Sequence, residues 1–304
     1  MACNLKIFAL VQPGKYNGCV EPGHGVHDAV RGGWLVSLLV NKLVKLRGRH
    51  YLQTCVCLLP FFFCAFARAV TPWTLLVNTN NVFDATSFGA VADNATDNTP
   101  AIQNAINAAA AGGTTNGLSG GSVRFPAGIY LCGPLTMQSC VNLQIDPGAI
   151  LRMLPIDRYP GGTTSPAHFI SGANLHDIAI SGAGAIDGQG QAWWDAFSAN
   201  KSVARPKMIY FSACTRMLIQ SVTLSNSPMF HIATDNAWNA TVNGVSVIAP
   251  PSSGVPNPSH NTDACDIGGT NVVVANSYFS VGDDNYACSG GTHDVLLTNN
   301  IYGT

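Results

Sequence analysis

The chain has 304 residues, a hydrophobic content of 47% and a formal net charge of −1, and only 10% of its residues are charged. This length and apolar content suffice for a large folded domain and exclude a disordered chain. The charge balance offers no basic surplus for neutralising phosphates, so nucleic acid is not an expected partner. The 31 glycines are spread along the chain, which favours an all-β protein of short strands joined by turns.

Residues 1–69 are predicted to be an upstream extension that ends in a secretory signal peptide. An apolar run covers residues 51–66 and leads into small residues typical of a cleavage site. The run is preceded by four basic residues, Lys42, Lys45, Arg47 and Arg49. A transmembrane anchor is the alternative, but such an anchor needs about 20 apolar residues. A start at a Val or Leu codon between residues 40 and 46 would give a signal of ordinary length.

If the chain is exported, its location and its cysteine chemistry follow. We expect a secreted, extracellular protein of the cell wall that is monomeric and keeps no stable membrane association after signal cleavage. Its folded domain is predicted to cover residues 70–304. That domain holds an odd number of cysteines, which implies a free thiol or a partner outside the given chain. These are Cys132, Cys140, Cys214, Cys265 and Cys288.

Cys132 with Cys140 is the favoured disulfide. No Cys or His spacing resembles a zinc site, so neither a metal nor an organic cofactor is predicted. We expect the histidines of the domain to be packed or solvated rather than ligands: His168, His176, His231, His260 and His293.

One helix is predicted near the start of the domain. Thr99 can cap it with Pro100 at the first helical position, and Gly112 with Gly113 can end it. Ile102 and Ile106 lie four residues apart and form a narrow apolar stripe. We expect this helix, over residues 100–111, to cover the exposed first coil of a solenoid.

From Val123 onward, short apolar runs recur between turn residues. Similar segments place five apolar residues at equivalent positions, with steps of 39, 23, 32 and 23 residues: Ile180, Ile219, Val242, Val274 and Leu297. Such a loose period with insertions indicates a solenoid whose units stack into parallel sheets about 4.8 Å per layer. A β-sandwich is the structural alternative, but its sequence would show no repeat of this kind.

Acidic residues gather late in the chain in two groups. Asp263 lies in His260-Asn261-Thr262-Asp263, and Asp283 with Asp284 follows Gly282. The 20-residue spacing between Asp263 and Asp283 is close to one solenoid turn, so we expect three carboxylates in one patch. Like charges at that distance raise at least one pKa, which lets one carboxyl act as an acid beside an ionised neighbour. Glycoside hydrolysis uses such a set.

Each group alone has a simpler explanation, because Asp-Asp after Gly is usually a turn and Asn-Thr-Asp is usually a loop or a cap. Their order and spacing within a solenoid favour the catalytic interpretation. A calcium site, as in a pectate-lyase-like enzyme, is the alternative, but these segments hold no arginine to act as its base.

Over roughly residues 83–304 the chain resembles glycoside hydrolase family 28, the polygalacturonases and their relatives. Asn261-Thr262-Asp263 matches the family's Asn-Thr-Asp, with Ala264 in place of the usual Gly. Gly282-Asp283-Asp284 matches its Gly-Asp-Asp, with Asn285 where Cys is common. The segments from Phe88 to Ala90 and from Gly121 to Tyr130 also resemble the opening of β-helix pectin enzymes.

The resemblance implies a right-handed parallel β-helix of the pectin-lyase-like type, a pectic polysaccharide substrate and an inverting mechanism. Asp283 would be the general acid, Asp263 and Asp284 would position and deprotonate the attacking water, and Asn261 would contact the substrate. The general rule for two carboxylates about 5 Å apart predicts retention of the anomeric configuration instead. We prefer the inverting mechanism that the family resemblance implies. The family's next motifs, Gly-His-Gly and Arg-Ile-Lys, should follow Thr304, so we expect an incomplete domain with little activity. Gly23-His24-Gly25 lies in the wrong order to replace them.

The expected reaction is hydrolysis of α-1,4-galacturonan. Hydrolysis of rhamnogalacturonan or another pectic backbone is the nearest alternative. A non-catalytic β-helix that only binds carbohydrate is the alternative from another class, and it would have no reason to place three aspartates on adjacent coils.

Overall fold

A computed structural model of the chain describes residues 70–255 and 258–303. The predicted signal segment lies outside these residues. Within them, no helix is both long and apolar enough to span a bilayer. The described residues contain two α-helices, α1 (Thr99–Ala110) and α2 (Gln191–Ala199), and one 3₁₀ helix at Ala85–Phe88.

Strands form the rest of the regular structure. They are β1 (Val82–Asp84), β2 (Asp93–Asp97), β3 (Gly121–Phe125), β4 (Gly128–Cys132), β5 (Leu135–Thr136), β6 (Val141–Ile145), β7 (Ala149–Met153), β8 (Ile170–Ala173), β9 (His176–Ser181), β10 (Ala185–Asp187), β11 (Ile209–Ser212), β12 (Thr215–Gln220), β13 (Thr223–Ser225), β14 (Ile232–Asn243), β15 (Ser246–Ile248), β16 (Cys265–Ala275), β17 (Tyr278–Ser280), β18 (His293–Thr298) and β19 (Ile301–Tyr302).

The named strands all pair in parallel, each with its equivalent in the neighbouring coil. An eight-stranded sheet runs from β2 through β4, β7, β10, β13, β15 and β17 to β19. The second sheet has eleven strands in two columns, because β14 pairs with β11 through its first half and with β12 through its second half. The chain therefore winds as a parallel β-helix, and the prediction of an all-β solenoid is confirmed.

The core is a set of apolar columns inside the coils. The five residues aligned by sequence are register partners: Ile180 pairs with Ile219, Ile219 with Val242, Val242 with Val274, and Val274 with Leu297. The first four are at most 1% exposed. Burying each such side chain contributes about 1.5–3 kcal/mol, so the column stabilises every coil through its neighbours.

The predicted helix is confirmed at α1, which packs against β1, β3 and β5 and buries Ile102 and Ile106. The predicted cap is wrong, because Asn98 is the N-cap residue and Thr99 belongs to the helix. The Thr99 hydroxyl instead accepts a hydrogen bond from the N–H of Gly133 at 2.6 Å. The helix is thereby tied to the following coil.

A second helix, α2, was not predicted; it lies in the insertion between β10 and β11, where Trp193 and Trp194 are buried. The predicted pairing of Cys132 with Cys140 is wrong, since both thiols are free. Cys132 is fully buried in the core, and it cannot leave that column to meet a cysteine in the turn before β6.

Candidate active site

The two acidic segments lie side by side on neighbouring coils. The N–H of Ala264 donates a hydrogen bond to the carbonyl of Asp284 at 2.9 Å, and the N–H of Ala287 donates to the carbonyl of Cys265 at 2.8 Å. These bonds continue the parallel ladder into the loop that follows β17. The stacking expected from the 20-residue spacing is therefore present.

The three aspartates converge at this point. One carboxylate oxygen from each of Asp263, Asp283 and Asp284 lies within 4.8 Å of the other two. Asp263 is only 7% exposed, whereas Asp283 and Asp284 are exposed. Oδ1 of Asp263 is buried and has no hydrogen-bond partner. The site thus combines one desolvated carboxyl with two solvated ones.

Burial and charge act together on Asp263. Its pKa is raised to about 7, first by burial and then by the neighbouring charge of Asp283, with smaller effects from Asp284 and Asp266. The pKa of Asp266 is also raised, mainly by burial, while the Lys207 charge opposes that rise. At mildly acidic pH a proton therefore resides on Asp263, because the charged form of a buried carboxyl is disfavoured.

Thr262 fixes the loop that carries Asp283. Its hydroxyl donates to the carbonyl of Ser259 at 3.1 Å and accepts from the N–H of Gly282 at 2.9 Å. A Cβ at position 282 would lie 2.1 Å from the Ser259 carbonyl oxygen, so only glycine fits there. The threonine of one motif and the glycine of the other are thus parts of one contact.

Asn261 connects Asp283 to a buried cation that sequence analysis missed. Its backbone is left-handed, with φ of 55°, a conformation that Asn tolerates better than most residues. Its Nδ2 donates to Oδ2 of Asp283 at 3.4 Å, and its Oδ1 accepts from Nη2 of Arg205 at 2.8 Å. Asn261 is therefore held between Arg205 and Asp283.

Arg205 is itself positioned by the insertion that contains α2. Its guanidinium donates to the carbonyls of His260 and Pro228 and lies 3.7 Å from the centre of the Phe197 ring. Burial lowers the pKa of Arg205 to about 10, so it remains a cation at neutral pH. The insertion that contains α2 carries no sequence motif that would predict the contact between Arg205 and Asn261.

His231 supports Asp263 from the preceding coil. It is fully buried, and burial lowers its pKa to about 4, so the ring is neutral. Because the N–H of Ser227 donates to Nε2, Nδ1 carries the proton and faces the carbonyls of Thr262 and Asp263 at 3.2 and 3.3 Å. The expectation that this histidine is packed is confirmed.

A polar row extends from the three aspartates over the outer face of β11, β14 and β16. Tyr210 aligns with Ala233, and Ala233 aligns with Asp266. The Tyr210 hydroxyl donates to Oδ2 of Asp235 at 2.5 Å, and Nζ of Lys207 lies 4.5 Å from the centre of the Tyr210 ring. Sequence analysis assigned no role to these residues, although Tyr210 and Asp266 show the alternation expected of strand residues that face solvent.

Potential metal ligands occur together at two places among the described residues. One is the set of three aspartates, and the other is Cys140, His176 and Asp177. In the second set, Arg216 already donates to both oxygens of Asp177 through Nε and Nη2, at 2.7 and 2.5 Å. Both positions remain candidates only, and the absence of a metal stays a prediction.

The chain belongs to the glycosyl hydrolases family 28, whose family model matches residues 106–304, more than half of the sequence. Among similar proteins, a probable polygalacturonase of Arabidopsis thaliana is 28% identical over 235 residues, which cover 73% of this chain and 46% of that protein. Endo-xylogalacturonan hydrolase A of Aspergillus tubingensis is 30% identical over 198 residues, covering 63% and 46%. The chain spans 43% to 46% of the length of the first curated relatives it matches.

Solved structures show the same fold. The polygalacturonase from Erwinia carotovora superposes with a TM-score of 0.61 at 25% identity, over 78% of this chain and 66% of that one. The endo-xylogalacturonan hydrolase of Aspergillus tubingensis gives a TM-score of 0.57. The predicted right-handed parallel β-helix is thereby confirmed.

Proposed function

We propose that this chain provides the acidic centre of a hydrolase that cleaves the α-1,4-galacturonan backbone of pectin by addition of water. The observation that carries the proposal is the convergence of Asp263, Asp283 and Asp284 within 4.8 Å, with one carboxyl buried and two exposed. Such unequal surroundings separate the pKa values of neighbouring carboxyls, which is the condition for combined acid and base catalysis.

In the proposed mechanism Asp283 protonates the glycosidic oxygen, while Asp263 and Asp284 orient and deprotonate water. The raised pKa of Asp263, about 7, lets the three aspartates retain one proton at mildly acidic pH. Carboxylate oxygens up to 4.8 Å apart can exchange this proton through one bridging water. Asp283 is the exposed member that Asn261 contacts, so it is the member that can meet the leaving oxygen.

A uronate substrate also needs positive charge beside the aspartates. Lys207 is a candidate on the outer face, because its charge acts on Asp266 and its Nζ lies over Tyr210. Asn261 remains a proposed substrate contact, although its amide is already engaged by Arg205 and Asp283. We propose that Lys207 binds a carboxylate of the galacturonan chain.

Hydrolysis of xylogalacturonan is a second candidate, and one observation favours it. Relatives named as endo-xylogalacturonan hydrolases are 30% identical to this chain. A substrate panel separates the candidates: polygalacturonate, xylogalacturonan and rhamnogalacturonan, with release of reducing ends as the measurement. Because the relatives are longer, the assay uses both the 304-residue chain and the gene product read on past Thr304.

We expect release from polygalacturonate to exceed release from the other two backbones. Dialysis against EDTA should leave the rate unchanged, since the proposed chemistry needs only carboxyl groups. A preference for xylogalacturonan would select the second candidate, and a rate restored only by added calcium would refute the metal-free mechanism. The anomeric form of the first product, followed by NMR, would distinguish inversion from retention.

Secretion to the cell wall belongs to the same proposal. A pectic polymer is too large to enter a cell, so its hydrolase must act outside. The signal-like segment over residues 51–66 supports export. Amino-terminal sequencing of exported protein should find its start near Arg68 or Val70, and a monomer without membrane attachment is expected.

A further inference from the structure

A pocket of about 210 Å³ lies away from the three aspartates, at the corner where β14 and β16 pass from one column of their sheet to the other. Three successive coils line it. Trp238 comes from β14, Thr270 from β16, and Ser289 with Gly290 from the loop before β18. On β16 the lining begins at Gly268, which is two residues beyond Asp266 and five residues beyond Asp263 of the acidic centre.

Trp238 is the main apolar surface of this pocket and is 60% exposed. Its register partners on the two neighbouring coils are Thr215 and Thr270. Threonine is too small to cover an indole ring, so both coils leave the ring open. A singly exposed hydrophobic residue is common on protein surfaces; this one differs because it borders a concave polar pocket.

The remaining lining is uncharged, and apart from Ala237 it consists of polar side chains and glycines. None of the nine described residues that line the pocket carries a charge. Asn236, Thr270 and Ser289 provide side-chain donors and acceptors, and the Thr270 hydroxyl lies 3.2 Å from Nε2 of His293. Gly290 and Gly291 leave backbone groups accessible, since neither has an atom within 4 Å of where a Cβ would lie.

This combination matches the chemistry of a neutral sugar ring. A sugar ring has an apolar C–H face that can stack on an aromatic ring and a polar edge of hydroxyls that can bond to neutral donors and acceptors. A uronate would need a cation, which the lining lacks. The volume is below the roughly 300–1,000 Å³ of pockets for larger ligands, which favours a single ring.

We propose that the Trp238 pocket binds one neutral sugar unit, carried as a side branch of the polysaccharide whose backbone lies at the aspartates. That the branch belongs to a pectic chain rests on the proposed function. The affinity of the pocket for a neutral sugar does not rest on the proposed function, because it can be measured without cleavage of the polysaccharide.

Binding is tested by affinity electrophoresis of the 304-residue chain in gels that contain neutral galactan, arabinan or xylan, with polygalacturonate as the charged, unbranched comparison. Trp238→Ala should weaken binding to at least one neutral polymer by roughly three- to tenfold, the value of one aromatic contact. Gly290→Tyr, which fills the open space beside the indole, should weaken it similarly. Neither change should alter retention by polygalacturonate.

Tyr278→Ala is the matched control, because Tyr278 is also an exposed strand aromatic, at 38%, but lies on β17 and outside the pocket. It should bind like the parent chain. The proposal is overturned if Trp238→Ala retains full affinity for all three neutral polymers, if it loses affinity for polygalacturonate alone, or if Tyr278→Ala shows the same loss. If the chain shows no hydrolysis of any pectic backbone, the proposed function is refuted, but the effect of Trp238→Ala on binding of neutral polymers is not affected.

Discussion

The hydroxyl of Thr262 accepts a hydrogen bond from the backbone N–H of Gly282 at 2.9 Å and so joins the two acidic segments across neighbouring coils. Thr262 is fully buried. The contact explains why the distance between Asp263 and Asp283 is fixed by the fold rather than by the aspartates, which would repel each other when ionised.

Replacing this hydroxyl should therefore disturb both stability and alignment. Thr262→Val leaves the buried N–H of Gly282 without its acceptor, and we expect a loss of about 1–3 kcal/mol in the free energy of unfolding. Thr262→Ser keeps the hydroxyl and should lose much less. Thermal unfolding of the three proteins measures the difference, and equal midpoints for the Val and Ser variants would contradict the role of the contact.

The sequence was sufficient to predict the solenoid and the meeting of the two motifs because both depend on repetition. Ile180, Ile219, Val242 and Val274 occupy equivalent positions in each coil, and a column of apolar residues leaves a periodic signal. The same period predicts that Asp263 and Asp283 lie on neighbouring layers. Contacts that repeat from coil to coil can be read from one sequence.

Arg205 and Trp238 could not be assigned in that way. Arg205 follows an insertion whose helix has no counterpart in the other coils that the structure describes, and its partners Pro228 and His260 are 23 and 55 residues away. Trp238 follows a register shift between Thr234 and Ala237 that sequence periodicity does not reveal. Positions fixed by irregular features require the three-dimensional structure.

Arg205→Lys should slow catalysis without preventing substrate binding. Lysine keeps the charge but cannot bond to Asn261 and to the carbonyls of His260 and Pro228 together, so Asp283 loses its support. A displacement of about 1 Å can cost as much as 10²-fold in rate, and we expect a 10- to 100-fold lower kcat with little change in KM.

Lys201→Ala is the control for Arg205→Lys, because Lys201 is an exposed cation 4.5 Å from the centre of the same Phe197 ring. It should leave kcat unchanged. A higher KM at constant kcat in Arg205→Lys would instead indicate a direct role in substrate binding.

Asp263→Asn should change the pH dependence of stability. The pKa of Asp263 is raised from 3.8 to about 7, so between pH 4 and pH 7 the unfolded chain releases a proton that the folded chain keeps. Stability of the parent is highest at the acidic end of this window and falls as pH rises through it. Asparagine is neutral at every pH, so the variant does not lose this part of its stability as the pH rises.

We therefore expect Asp263→Asn to be more stable than the parent at pH 8, on the order of 1–3 kcal/mol, with a smaller difference at pH 4. Asp157→Asn, a change at an exposed aspartate, should follow the parent at both values. Denaturant unfolding at the two pH values measures this effect. If Asp263→Asn instead loses stability relative to the parent when the pH is raised from 4 to 8, Asp263 is ionised in the folded protein.

The most direct test of the account is hydrolysis of polygalacturonate by Asp283→Asn, made in the gene product that shows activity and compared with the parent and with Asp195→Asn, an exposed change on α2. Asparagine keeps the size and polarity of the side chain but cannot donate the proton that the leaving oxygen requires, so the account predicts a loss of about 10²- to 10⁴-fold in rate. Circular dichroism should be unchanged, and Asp195→Asn should keep full activity. Equal reducing-end release by Asp283→Asn and the parent would contradict the assignment of Asp283, and no release by the parent from any pectic backbone would contradict the proposed hydrolase.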